Sequence, residues 1–188
     1  MTHGCKIDKQ DGAYIMTFTV VDWLDIFSDD KYKFLLSDLL NYAVDKKGLE
    51  IFAYVIMSTH MHLLGRAINN NLSDVIRDFK KFSAIKILSL LQKTKSEFSC
   101  LALEKFSNAA KNHSRNEKYQ FWKYGNYPEE VYSPKFTLQK IRYIHNNPVD
   151  AGIVSRPEDY YFSSAVDYAG RKGPVTVSLL NLHNLYYL

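Results

Sequence analysis

The chain has 188 residues, 46% hydrophobic and 23% charged, and its 24 Lys and Arg against 20 Asp and Glu leave a net charge of +4, a balance that excludes wholesale disorder and is compatible with a nucleic-acid partner without demanding one. The longest apolar run, IFAYVIM, is far short of a membrane helix, and MTHGCKIDKQDG does not read as a secretory signal, so no membrane association is expected. Cys5 and Cys100 have no metal-ligand spacing and are expected to be reduced, in a cytoplasm.

The length predicts a single domain over 1–188, with a core from about 12 to 148 and the segment 149–188 packed on it. Residues 13–21, AYIMTFTVV, are rich in β-branched and aromatic types and predict a strand. Ser28, Asp29 and Asp30 offer N-caps for a helix over about 31–47, with Leu35, Leu39, Tyr42 and Ala43 as its apolar face and Gly48 as its stop. LEIFAYVIM, residues 49–57, predicts a second strand; Ser58 and Thr59 turn the chain, and HMHLLGRA, residues 60–67, returns as a third in a hairpin.

A long helix is predicted to start at Ser73 or Asp74, with a buried stripe of Leu72, Val75, Ile76, Phe79, Phe82, Ile85 and Leu88. From Lys93 to Lys118 the apolar spacing weakens, leaving LALEKF as one or two helical turns and KNHSRNEKYQ as an exposed loop. FWKYG, residues 121–125, reads as a fourth strand. Ser133 or Pro134 opens a last helix, KFTLQKIRYIHNN, predicted to stop at Pro148. The order predicts an α+β, ferredoxin-like split βαβ fold: an antiparallel sheet with helices on one face plus a C-terminal helix.

Two spacings carry chemistry. His60 and His62 alternate with Met61 on a predicted strand, so both imidazoles share one face and could hold one divalent metal or polarise one phosphate. A pair of polar residues on a strand's exposed face is the competing reading. Tyr143 and Asn147, four apart, share one face of the last helix, whereas His145 lies about 200° round from Tyr143. A tyrosine can attack a phosphodiester and hold it as an ester, although a phenol's ordinary pKa of about 10 means it needs activation. Packing is the usual role of any one of 14 tyrosines. Asn147 adds a hard carbonyl oxygen beside the phenol.

YVIMSTHMHLL resembles the metal-binding strand of the single-tyrosine HUH transposases, the REP-associated tyrosine transposases and their small insertion-sequence relatives. RYIHNNPVDAGIVSRPEDYYFSSAVDYAG is similar to the tyrosine helix of the REP-associated branch and the segment after it, and FWKYG to that family's last-strand motif. The resemblance, from about Gly12 to Tyr168, implies a transposase that cuts and rejoins single-stranded DNA at hairpin-flanked ends through a 5′-phosphotyrosyl intermediate, with Mg²⁺ or Mn²⁺ as cofactor and a homodimer as the working form. It makes Tyr143 the nucleophile and His60, His62 and Asn147 the metal ligands. Asn147 stands where the insertion-sequence branch usually has Gln, and Ser58-Thr59 replaces the common Pro-Asn before the histidines. The alternatives are a hairpin-binding regulatory protein that no longer transposes, a rolling-circle or relaxase-type nickase, and a plain metal-dependent phosphoesterase.

Charge is concentrated in the middle of the chain. Residues 77–118 hold ten Lys and Arg against four Asp and Glu, a surplus of +6 that leaves the remainder at −2. Arg77, Lys80, Lys81, Lys86, Arg115 and Lys118 are therefore the expected DNA contacts. A solvated helix face followed by a loop is the plainer account of the same cluster.

Overall fold

A computed structural model describes residues 6–111 and 118–181. The first strand, β1, is Tyr14–Thr19; helix α1 is Asp30–Lys47; the hairpin strands are β2, Leu49–Ile56, and β3, His60–Ala67. Helix α2 is Leu72–Thr94 and α3 is Glu97–Lys111. A short strand β4, Glu129–Glu130, precedes helix α4, Pro134–Asp150, and the short helix α5, Ala165–Tyr168. The sheet is antiparallel, in the order β2-β3-β1-β4, so β3 and β1 are central, as a split βαβ connection requires. The expected α+β architecture is present.

Local chemistry explains the element ends. The Asp29 carboxylate accepts from the Lys31 amide and caps α1, and Gly48, at φ 69°, closes it in the left-handed conformation. Gly65 is required where β3 passes β2, because a Cβ there would meet the Glu50 carbonyl at 2.5 Å. Ser133 caps α4 by accepting from the Phe136 amide, and Pro134 occupies its first turn.

Alternation sorts the sheet into two faces. Phe18 and Met61, opposed in the β1–β3 register, lie on one face, where the Phe18 ring meets Phe79 of α2 at 5.8 Å. Helices α1 and α2 pack on each other and cover that side. Thr17 and His62, likewise opposed, lie on the other face, which α4 crosses.

Several details differ from expectation. The buried side of α1 runs through Tyr32, Leu36, Leu40 and Ala43, leaving Tyr42 exposed. The stripe of α2 continues through Ser83, Ile87 and Leu91 after Phe79; Phe82 and Ile85 are exposed, because steps of three residues fall behind the helical repeat by about 60° each. FWKYG forms no named strand. It follows the end of β1 through a Val20–Trp122 bridge and the Lys123 amide donating to the Thr19 carbonyl, and the strand beside β1 is Glu129–Glu130. Finally, α4 runs through Pro148 to Asp150. The proline sits in the last turn, where its missing N–H costs one bond, and the Asn147 and Pro148 carbonyls accept from Ala151 and Ile153. The weakly patterned stretch after Lys93 holds all of α3, whose buried side is mostly small: Ser99, Ala102, Phe106 and Ala110.

After α4 the chain returns along the outer edge of β2. The Ile56 amide donates to Phe162, the Ser164 amide to Tyr54, and the Ser178 amide to Ile51. Tyr160 and Tyr168 add hydroxyl donors to the Ile56 and Phe52 carbonyls. Among the described residues no helix is long and apolar enough to cross a membrane.

Candidate functional site

Strand alternation delivers His60 and His62 to the α4 side of β3, with ring centroids 4.9 Å apart. His62 is buried at 5% exposure. Burial first, and the neighbouring His60 second, push its pKa down to about 4; burial likewise lowers that of His60. Both imidazoles are therefore neutral at physiological pH, the form that ligates metals.

Each ring is held at Nδ1. Thr17, across the β1–β3 register, hydrogen-bonds Nδ1 of His62 at 2.9 Å, and Thr59, in the hairpin turn, hydrogen-bonds Nδ1 of His60 at 3.0 Å. In the tautomer with the proton on Nδ1, both rings donate to these hydroxyls and present Nε2 lone pairs on the α4 side. Neither threonine stood out in the sequence, because the link from Thr17 to His62 appears only once the strands are in register.

Helix α4 brings Tyr143 over this pair. Its hydroxyl lies 3.4 Å from Nε2 of His62, the rings meet edge-on at 5.2 Å, and the side chain is 49% exposed. One turn on, Nδ2 of Asn147 donates to the Tyr143 carbonyl at 2.8 Å. The Asn147 side chain also opposes the lowering of both histidine pKa values, because its amide oxygen favours a protonated ring. Among the described residues no group of three His, Cys, Asp or Glu could hold a metal. A cation here would rest on two imidazole nitrogens and the Asn147 oxygen, with positions left for water or phosphate oxygens, and this donor set fits a divalent ion. His145, on another side of α4, hydrogen-bonds the Ser164 hydroxyl at 2.9 Å and is pushed by burial to about 4.

The basic residues divide. Arg77, Lys80, Lys81 and Lys118 line a groove of about 820 Å³ between α2 and residues 118–124, together with Lys123 and Tyr124. No acidic residue lines it among those described. Lys80 holds the groove together, donating to the Lys123 carbonyl at 3.1 Å and to Oδ1 of Asn126 at 2.8 Å, and burial lowers its pKa to about 8. Arg77 is paired with Asp74 and Asp78. Lys86 is exposed on α2 outside the groove lining, and Arg115 lies outside the described residues.

Beside the histidines stands a residue that sequence reasoning passed over. Trp23 is 55% exposed and meets the His60 ring at 5.8 Å. It follows Asp22 in a short turn where both residues take positive φ, 54° and 55°, a conformation costing about 1–2 kcal/mol per residue.

A family model described as "Transposase IS200 like" matches residues 14–147, from the first residue of β1 to Asn147. Among solved structures the chain is similar to one titled "Structure of the REP associates tyrosine transposase bound to a REP hairpin". The likeness has 19% identity and a TM-score of 0.60, covers 95% of this chain and 92% of that one, and is a likeness of fold. No curated protein matches the chain.

Proposed function

The chain belongs to the IS200-like transposase family, and on that premise we propose that it cleaves and rejoins single-stranded DNA at hairpin-flanked ends through a tyrosyl intermediate. The observation that supports this most is the Tyr143 hydroxyl, 3.4 Å from Nε2 of His62, on a helix face shared with Asn147. The Tyr143 oxygen attacks the scissile phosphorus as its proton passes to water, to which the half-exposed phenol has access. The bond from phosphorus to the 3′ oxygen breaks, leaving a free 3′-hydroxyl and the 5′-phosphate esterified to Tyr143. Attack by a second 3′-hydroxyl reverses the step and joins new ends, so the energy of the ester is conserved. His60, His62 and Asn147 would hold Mg²⁺ or Mn²⁺, which supplies positive charge against the phosphate oxygens. Thr17 and Thr59 keep the imidazole tautomers suited to that role. The groove beneath α2 supplies cations for the DNA backbone, with Lys81, Lys118 and Lys123 the residues to test first.

The reading includes hairpin DNA as partner, in keeping with the REP hairpin bound by the transposase of similar fold. It also includes a homodimer, for which exposed Tyr42 and Phe82, on packed helices α1 and α2, offer apolar surface. Sedimentation of the purified chain with and without DNA tests the dimer.

Labelled single-stranded DNA carrying the hairpin end, incubated with protein and Mn²⁺, is expected to yield a covalent adduct that Tyr143→Phe abolishes and EDTA prevents. An adduct in the Phe variant overturns the nucleophile assignment. Binding without cleavage would identify a regulatory protein, and hydrolysis without an adduct a phosphoesterase.

A further inference from the structure

We propose that Trp23 is the stacking platform for the nucleobase beside the scissile phosphate, with Lys123 as the cation for the adjoining backbone phosphate. The inference rests on the DNA-cleaving reading and adds a substrate-binding residue to it.

Position is the first ground. The Trp23 ring lies edge-on to His60 at 5.8 Å, so a base stacked on it would place its own phosphate near the histidine pair and Tyr143. The second ground is continuity with the basic groove. Lys123 lines that groove, and its ammonium sits over the Trp23 ring, 4.8 Å from the centroid. The indole thus stands where the cationic path from α2 reaches the histidines.

The third ground is backbone strain without a packing return. Trp23 adopts a positive φ directly after Asp22 does the same, yet the side chain so placed is more than half exposed. A bulky aromatic residue in that conformation is ordinarily repaid by burial, and here burial is small. The other tryptophan shows the contrast: Trp122 is 5% exposed, stacks on Phe27 and donates to the Ser83 hydroxyl at 2.9 Å. One indole is spent on the core and the other is held out beside the candidate site. Every base has a π-face, so such a platform tolerates sequence and selects for unpaired DNA, since a paired base is already stacked.

The two tryptophans also supply the test. The Tyr143→Phe protein in EDTA cannot cleave, so binding of a short oligothymidylate can be followed by tryptophan fluorescence alone. Quenching is expected with Trp23 present and should lose most of its amplitude in Trp23→Phe, where only Trp122, 5% exposed at the groove wall, reports. Affinity, followed by anisotropy of a labelled oligonucleotide, should fall about tenfold or more in Trp23→Ala and stay within about threefold in Trp23→Phe. Unchanged melting of Trp23→Ala would show that the loss is not one of folding. Alanine binding within about twofold of the parent, or equal losses in the alanine and phenylalanine variants, overturns the platform. The adduct assay with unsubstituted protein reads separately: an adduct without quenching sinks this inference alone, and quenching without an adduct sinks the cleavage reading.

Discussion

Along β3, Met61 and Leu63 point into the layer under α1 and α2, while His60 and His62, alternating with them, point toward α4. Met61 and Leu63 are fully buried among apolar neighbours, and on their side Phe18 meets Phe79 and Trp122 edge to face. His62 is nearly as buried, but its contacts are a threonine hydroxyl, a second imidazole and a phenol. The same withdrawal from water has opposite consequences on the two sides. On the first it is favourable and gives stability. On the second it is unfavourable to charge and keeps two imidazoles neutral, which costs stability whenever protons are plentiful.

Three perturbations separate the two sides. Phe18→Ala should be the most damaging to folding, by about 3–5 kcal/mol, while DNA-adduct formation persists below the lowered melting temperature. Loss of the adduct at unchanged stability would instead mean that the two faces are coupled. Acid should act on the histidine side. His60, His62 and His145 are all lowered in the fold, the latter two to about 4. The unfolded chain therefore binds more protons between about pH 6.5 and 4, and stability declines as pH falls through that window. His62 alone would account for about 3 kcal/mol. Urea unfolding at neutral pH and near pH 4 measures the decline, which should be shallower in His62→Asn. The smallest effect is expected from Thr17→Val, which keeps shape and removes the partner of Nδ1. Mn²⁺ affinity measured by calorimetry should fall about 10- to 100-fold with little change in melting. Unaltered affinity would show that Thr17 does not set the tautomer.

The comparison also explains what the sequence made legible. The alternation of His60, Met61 and His62 announced a two-faced strand, and Tyr143 with Asn147 announced a helix face, because periodicity carries both. Asp29 and Gly48 marked the ends of α1 through chemistry that needs only local chain. Helix α3 was obscured because Ser99, Ala102 and Ala110 are buried by virtue of small size, which leaves no apolar rhythm. Glu129–Glu130 has no pattern of its own and pairs with β1 only because the chain is led there. Thr17 and Thr59 join the histidines through strand register and turn geometry, and Trp23 reaches His60 through two left-handed residues. These are relations between distant or unusual conformations, and composition does not encode them locally.

The return of the chain along β2 has a consequence for how copies of this protein meet. A sheet's outermost strand is a ready template for another chain's strand. Here carbonyls of β2 from Ile51 to Ile56 are occupied by Ser178, Tyr168, Ser164 and Tyr160, and the Ile56 amide by Phe162. At the opposite margin β4 offers two residues, both glutamates. The sheet is thus sealed on one side and brief and charged on the other. Strand pairing between copies of the chain is therefore disfavoured at both margins of the sheet.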